Sequence, residues 1–444
     1  MSSSSAGGAG FKQALISIAA GLVVACVLIQ LSGYSAPFAL SALWSGATGL
    51  QAGPATGPTD VALGSGHVNL FQLAQSLATV TPLLFCGLAV ALGLRAGLFN
   101  IGAQGQLTVG ALAAAAVGLI GAPEAAGSAP LHAPAALRVL AVACRLPLVH
   151  IALTFLAGAL AGAAWGAIAG ALKAWRGVHE VITTIMLNFI GLDVANYLVT
   201  HSLRDPHSPN PETPRMAETA ILRPLVAHSN LTAGLILALI AAAAVALFIA
   251  RTSPGFAIRA VGLNNDAAEA AGISTARVLV LSMALAGALA GAAGAIEVMG
   301  VHHRYVEGVA GSYGFDGIAV ALLGGVSGGA ILSALFFGLL AAGSDTMQAF
   351  TSVPAPVAVI VQATVIMFVG IRRFGRFAPT AKAGDGGDSA RPADAGSAPA
   401  LPAATDHGRV AARIAADPTT PFETGARSGD RGSAPESGGP ADGR

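Results

Sequence analysis

Apolar runs of about twenty residues recur along this chain, at 14–31, 70–94, 97–121, 147–172, 181–200, 231–250, 277–299 and 355–371. A helix rises about 1.5 Å per residue and the hydrocarbon of a bilayer is about 30 Å thick, so runs of this length suffice to cross it. No water is available there to bond a peptide group, which leaves a helical bundle as the way to fold so many crossings. The expected fold is therefore an all-α polytopic membrane protein. A further apolar stretch, 315–343, is interrupted by LLGGVSGGA. It predicts either a re-entrant hairpin or two short crossings. The total is then eight or ten spans, an even number with both termini on one side.

Composition excludes the alternatives. Residues AVILMFWYC make up 54% of the chain before its 57 glycines are added, and charged residues only 10%, well short of the roughly 25% of a soluble domain. A water-soluble enzyme is ruled out, and a net charge of +1 without a basic run leaves no footprint for nucleic acid. Cys26, Cys86 and Cys144 stand far apart with no CxxC, so neither a disulfide framework nor a zinc site is expected, and no cofactor motif is present. The Lys/Arg bias of the loops puts the N-terminus inside. The organisation expected is a cytoplasmic N-terminus at 1–13, a transmembrane domain at 14–371 and, from Arg372 to Arg444, a cytoplasmic tail whose Gly, Ala, Pro, Ser and Asp predict disorder. The loop 32–68 is Gly- and Pro-rich, with room for a short interfacial helix around Phe38 to Leu50.

Four constellations carry information. Gly158, Gly162, Gly166 and Gly170 recur every fourth residue, which places them on one helix face and predicts very close helix packing. RAGLFNIGAQGQ, residues 95–106, brings Asn100, Gln104 and Gln106 into a span among glycines. That pattern fits either a broken helix lining a solute path or an amphipathic helix start at the interface. In GVHEVITTIMLNFIGLDVAN, Glu180 is expected at the interface and Asn188 buried, and Asn188 and Asp193 cannot both face lipid cheaply. The loop 251–277 contains NNDAAEAAG, a short helix capped by Asn264 or Asn265 and ended by Gly272, suited to docking in a partner's groove. Two motif searches are negative. No Gly-Lys pair exists, so the phosphate-cradling loop of an ATPase is absent. Gly325-Val326-Ser327-Gly328 has the form of an intramembrane protease motif, but the only later histidine is His407, in the tail.

Five segments in this order and spacing, GLFNIGAQGQ, KAWRGVHEVITTIMLN, FAIRAVGLNNDAAEAAGIS, VHHRYVEG and YGFDGIAVALLGG, resemble the permease subunits of bacterial ABC importers for nucleosides and simple sugars, a group related to ribose and branched-chain amino acid permeases. The likeness runs from about residue 70 to 371. It implies a type II importer fold of about ten helices and a coupling helix over residues 263–272, with Asn265, Asp266, Glu269 and Gly272 meeting a separate ABC ATPase. It also implies a second permease subunit as heterodimer partner, a substrate-binding lipoprotein, membrane lipid around the bundle and an inner-membrane location.

Few full charges enter the spans and the polar groups are amides, so Asn100, Gln104 and Asn188 are candidates to line the path of a neutral polar solute. If it carries a nucleobase, Phe99, Phe189 or Phe315 is the candidate to stack on it. The sequence leaves nucleoside and ribose-like sugar both open. The rival from another class is an ion-coupled secondary transporter, which needs a carboxylate relay from Asp193, Glu297 and Asp316.

Overall fold

The computed structural model describes residues 19–52, 59–63, 66–122, 142–326 and 328–351, with residues 359, 360, 363, 364 and 367. The expectations for the N-terminus 1–13, most of the last span, Ser327 and the tail 372–444 lie outside the described residues.

The chain runs through α1 (Ala19–Leu31), α2 (Ala36–Thr48), three short strands, α3 (Leu70–Arg95), α4 (Ala103–Gly118), α5 (Pro147–Arg176) and α6 (Glu180–Thr200). It continues through α7 (Gly234–Arg251), α8 (Ser253–Leu263), α9 (Asn265–Ala270), α10 (Thr275–Glu297) with a π-helical turn at Val298–His302, α11 (Tyr313–Gly324) and α12 (Gly328–Thr351). Six of these are long and apolar enough to cross a membrane: α3, α5, α6, α7, α10 with its π turn, and α12. Their ends follow local chemistry. Asn69 caps α3 by accepting the Gln72 N–H at 3.0 Å, and Arg95 in its last turn complements the helix dipole. Pro147 opens α5, and Gly177 closes it in the left-handed conformation (φ +66°). Lys173 then reaches across that turn to Glu180 at 2.9 Å, fixing the start of α6.

α3 is buried along most of its length, with α7, α10, α11 and α12 around it, while α10 packs on α5 and α4 as well. α5, α6 and α7 bury only a stripe each. Their outer faces carry exposed Leu156, Leu160, Ile182, Ile190, Ile240 and Leu247, the surface a hydrocarbon solvent demands.

The closest packing is at the glycines. A Cβ at Gly162 would collide with the carbonyl oxygen of Gly287 on α10, and one at Gly287 with that of Gly162. At Gly158 it would stand 2.7 Å from the Ala295 Cβ, and at Gly170 2.9 Å from the Val280 Cα; at Gly166 it would strike the Met283 carbonyl. From α4, Gly110 meets the backbone of Gly291 on the same seam. Three helices thus touch main chain to main chain.

Four features depart from the sequence reading. The fold is mostly helical rather than all-α: β1 (Leu50–Ala52), β2 (Asp60–Leu63) and β3 (Gly66–Asn69) form an antiparallel sheet in the order β1-β3-β2, and loops outside a membrane carry no prohibition on strands. The expected span at 97–121 starts its helix only at Ala103, because Gly97 (φ +74°) turns the chain back on itself after α3. The loop 251–277 holds two helices, not one, since Thr252 caps α8 by accepting the Gly255 N–H at 3.1 Å and Pro254 lies in its first turn. The stretch 315–343 is a half-length helix followed by a full one.

Gly162→Leu has no relaxation open to it short of separating two backbones, so its cost should exceed the usual 1–3 kcal/mol of overpacking, about 3 kcal/mol or more. Thermal unfolding in detergent checks this against Gly328→Ala, where a Cβ meets nothing within 4 Å and the melting temperature should stay unchanged.

Candidate functional site: two helix breaks and a cavity

The polar residues of the spans gather at two places where a helix is interrupted. After α3 ends at Arg95, residues 96–102 double back. A Cβ at Gly93 would lie 3.2 Å from the Leu98 carbonyl and 3.3 Å from the Asn100 Cβ, so the strand-like segment climbs beside the last turns of α3 before α4 begins. Its peptide groups need partners. Asn100 Oδ1 accepts the Gly102 N–H at 2.9 Å, and Asn100 Nδ2 donates to Gln106 Oε1 at 3.1 Å. From α6, Asn188 Nδ2 donates to the Ile101 carbonyl at 3.0 Å and Asn188 Oδ1 accepts the Gly105 N–H at 2.8 Å. Asn100, Gln104, Gln106 and Asn188 are all buried.

The second break precedes α11. This helix has 12 residues and so spans only about 18 Å, short of the bilayer. Its placement confirms the shortfall: a Cβ at Gly317 would lie 2.7 Å from the Cys86 Cβ in α3, and one at Gly325, just past its end, 3.9 Å from Arg95 Nη2. α11 therefore runs alongside the second half of α3 and starts well inside the bundle. Residues 303–312 lead down to it without regular structure, and their backbone is bonded from outside. Thr213 Oγ1 accepts the Tyr305 N–H at 3.0 Å, and the His303 carbonyl accepts the Met216 N–H at 2.9 Å. Gln104 completes the set, donating from Nε2 to the Gly311 carbonyl at 2.7 Å and accepting the Gly314 N–H on Oε1 at 2.9 Å. One side chain from the first break thus closes the second.

Above the start of α11 lies a cavity of about 330 Å³, walled by α3, the end of α10, α12 and Tyr313. Gln72, Gln75, Thr79, Glu297, Asp345 and Thr346 supply its polar lining. Its existence was not legible in the sequence, since the six side chains come from three separated spans. Phe99 is half-buried in the first break, while Phe189 and Phe315 are exposed on α6 and α11; none of the three lines the cavity.

At the other end of α3 stand α8 and α9. A Cβ at Gly262 would strike the Arg95 carbonyl, and the Gly262 Cα lies 3.5 Å from a Cβ built at Gly97, so α8 abuts the first break directly. Asn264 caps α9 by accepting the Ala267 N–H at 3.0 Å, and Gly272 leaves it with φ +83°. Of α9 only Ala268 is buried, while Asn265, Asp266 and Glu269 are exposed, with Leu263 beside them 88% exposed. Among the described residues no cluster of three metal-ligating side chains occurs.

Comparison with known proteins agrees with this architecture. Residues 72–370 match the family model described as branched-chain amino acid transport system / permease component. The chain is 37% identical over 362 residues to the guanosine ABC transporter permease protein NupP of Bacillus subtilis, covering 80% of this chain and 91% of that protein. It is 36% identical to the nucleoside ABC transporter permease protein NupB of Lactococcus lactis, over 70% of this chain and 81% of that one. The glucose ABC transporter permease protein TsgB13 of Haloferax volcanii is 35% identical, over 67% and 76%. No solved structure matches the chain.

Gln104→Leu would orphan the Gly311 carbonyl and the Gly314 N–H together, at about 1–3 kcal/mol for each buried group. Gln104→Glu keeps an acceptor for Gly314 and should fall between Leu and the native residue. Melting temperatures of the three proteins in detergent check that order; equal values would show that the break does not depend on this amide.

Proposed function

This chain belongs to the family of branched-chain amino acid transport system permease components, and from that premise we propose that it is the permease subunit of an ATP-driven importer that moves a nucleoside across a bacterial cytoplasmic membrane by alternating access. The observation that carries the substrate class is the 37% identity to a guanosine permease over 91% of that protein, joined by a similar likeness to a second nucleoside permease. A permease of this family is not itself an enzyme; it works with an ABC ATPase and a substrate-binding protein.

The finer parts of the reading have their own support. A type II importer fold of about ten spans fits the six long helices together with the shorter α1, α4 and α11. Both termini are assigned to the cytoplasm on the Lys/Arg bias of the loops, with residues 14–371 as the transmembrane domain and 372–444 as a tail beyond it. The exposed apolar faces of α5, α6 and α7 suit lipid and a second permease subunit, and the family likeness favours a non-identical one. In such a pair Phe315, exposed beside the break at α11, is the ring we favour to stack on a base, with Phe99 and Phe189 as the other candidates. Asn100, Gln104 and Asn188 act on the path by holding its two breaks open to neither lipid nor water.

Coupling falls to α9. Asn265, Asp266 and Glu269 face solvent where an ATPase groove has access, and α8 joins α9 to the turn after α3 through the Gly262 contact. Closure of the ATPase would press on α9, and α8 would pass the displacement to the segment 96–102.

The ion-coupled reading loses its relay. Glu297 is buried, but Asp193 is exposed and Asp316 accepts a hydrogen bond from Ser312 Oγ at 2.5 Å on the first turn of α11. The sugar reading is kept alive by the glucose permease, and transport decides between the two: membrane vesicles holding this permease, its partner and the ATPase should take up labelled purine nucleoside in an ATP-dependent way and ignore glucose and ribose.

Two variants test the coupling assignment in those vesicles. Glu269→Lys reverses an exposed charge, and Gly272→Pro imposes φ near −65° where +83° is found. Both should cut uptake at least tenfold, and Glu269→Lys, at an exposed site, should do so without lowering the melting temperature of the isolated permease. Normal uptake with a fully assembled complex would remove α9 from coupling.

A further inference from the structure

We propose that the cavity between α3, α10, α11 and α12 is a solute station of the transport path, and that Glu297 is its specificity-determining hydrogen-bonding group for the hydroxyls of an uncharged solute. This rests on the importer reading above. The cavity, about 330 Å³, falls at the lower end of the roughly 300–1,000 Å³ typical of small-molecule sites. Tyr313, the first residue of the half-helix α11, lines it, and interrupted helices are where transporters put their solute sites.

The lining selects by charge. Neither lysine nor arginine contributes to it, whereas Glu297 and Asp345 do. A nucleotide, a sugar phosphate or a free amino acid would bring an anionic group into a cavity with no cation to meet it, which is costly away from water. Thr79 and Thr346 already donate their hydroxyl protons to the Gln75 and Ala342 carbonyls, but an amino acid with a branched apolar side chain would leave Gln75 Nε2 and Glu297 unmatched. A polyhydroxylated neutral solute can meet both.

Among these groups Glu297 is set apart by its state. Gln72 Nε2 is committed to the Gly46 carbonyl at 3.0 Å and Thr346 Oγ1 at 2.8 Å, and Gln75 Oε1 accepts the Asn230 N–H at 2.8 Å. Glu297 is only 4% exposed, yet its carboxyl group has no hydrogen bond among the described residues. The nearest basic atom, His302 Nε2, stands 3.9 Å from Oε2, beyond bonding distance. A carboxyl group buried against a cavity with its capacity unspent is what a ligand hydroxyl would complete.

The test uses the assembled complex in vesicles. Wild-type protein should discriminate on the order of tenfold between a nucleoside and one of its mono-deoxy analogues. Glu297→Leu should raise the half-saturation concentration for the parent nucleoside about tenfold and bring that discrimination close to one. A variant whose packing alone was harmed would lose rate equally for both solutes. In parallel, Thr79→Cys should be alkylated by a thiol reagent and protected at least threefold by saturating nucleoside, while Leu225→Cys, exposed on a loop, should be unaffected. A complex that imports nucleoside without protecting Thr79→Cys, or in which Glu297→Leu leaves discrimination intact, overturns the cavity assignment alone. A wild-type complex that imports no nucleoside overturns the functional reading, and this one with it.

Discussion

The structure depends on a rule of the hydrocarbon interior: every peptide group held there must find its hydrogen bond inside the protein. Unpaired amide and carbonyl groups of a broken helix would be prohibitive against lipid, so a permease that needs irregular backbone at depth must supply bonding partners for it. Gln104 does this with both ends of one side chain, and Asn188 does it for the neighbouring interruption. Because Gln104 sits at the first turn of α4 and bonds the start of α11, the two interruptions share a single point of attachment. Neither can shift without disturbing the other. Amides suit that role because they donate and accept at once and bring no charge to be desolvated.

The geometry also gives the two ends of the bundle different characters. Toward α8 and α9 the contacts are tight and backbone-to-backbone: Gly262 lies against Arg95, and the turn past α11 lies near the same arginine. Toward the sheet, α3, α10 and α12 line a polar cavity. Both α8 and α9 also contact α10, whose far end carries Glu297 into the cavity wall.

Much of this was legible in the chain. Length and hydropathy located α3, α5, α6, α7 and α10 nearly to their ends, because a helix in lipid has no competitor as a fold for an apolar run. The four-residue glycine period read directly as a packing face. Asn264, one of the two cap candidates, and Gly272 announced α9 through cap chemistry. What escaped had specific reasons. α8 reads as loop because its apolar residues are diluted by Pro254, Gly255 and Arg259, although Thr252 and Pro254 together form a start signal. The late start of α4 is decided by a positive φ at Gly97, and nothing in the residues near Ala103 marks the difference between continuing a turn and beginning a helix. Small strands between Gly- and Pro-rich stretches carry too little alternation to be seen. The pairing of Gln104 with Gly311 and Gly314 spans some two hundred residues, a distance over which local pattern is silent; the amides were visible as polar intruders, but whether their partner is backbone or solute is a property of the folded state.

The glycine seam between α5 and α10 has a consequence at the level of the gene. Glycine codons all begin GG, and any base change in those two positions yields a residue with a Cβ or, from GGA, a stop. At Gly162 or Gly287 even the smallest of these, alanine, would place a carbon into the opposing carbonyl oxygen. Drift along this face therefore has no gradual route. A change there must be accompanied by one across the seam that separates the helices, and separation would also reach Gly110 of α4, whose backbone shares the same contact. A change on this face of any one of the three helices must therefore be matched on the other two, and α10 carries that constraint up to the cavity wall, since Gly158 meets Ala295 two residues before Glu297.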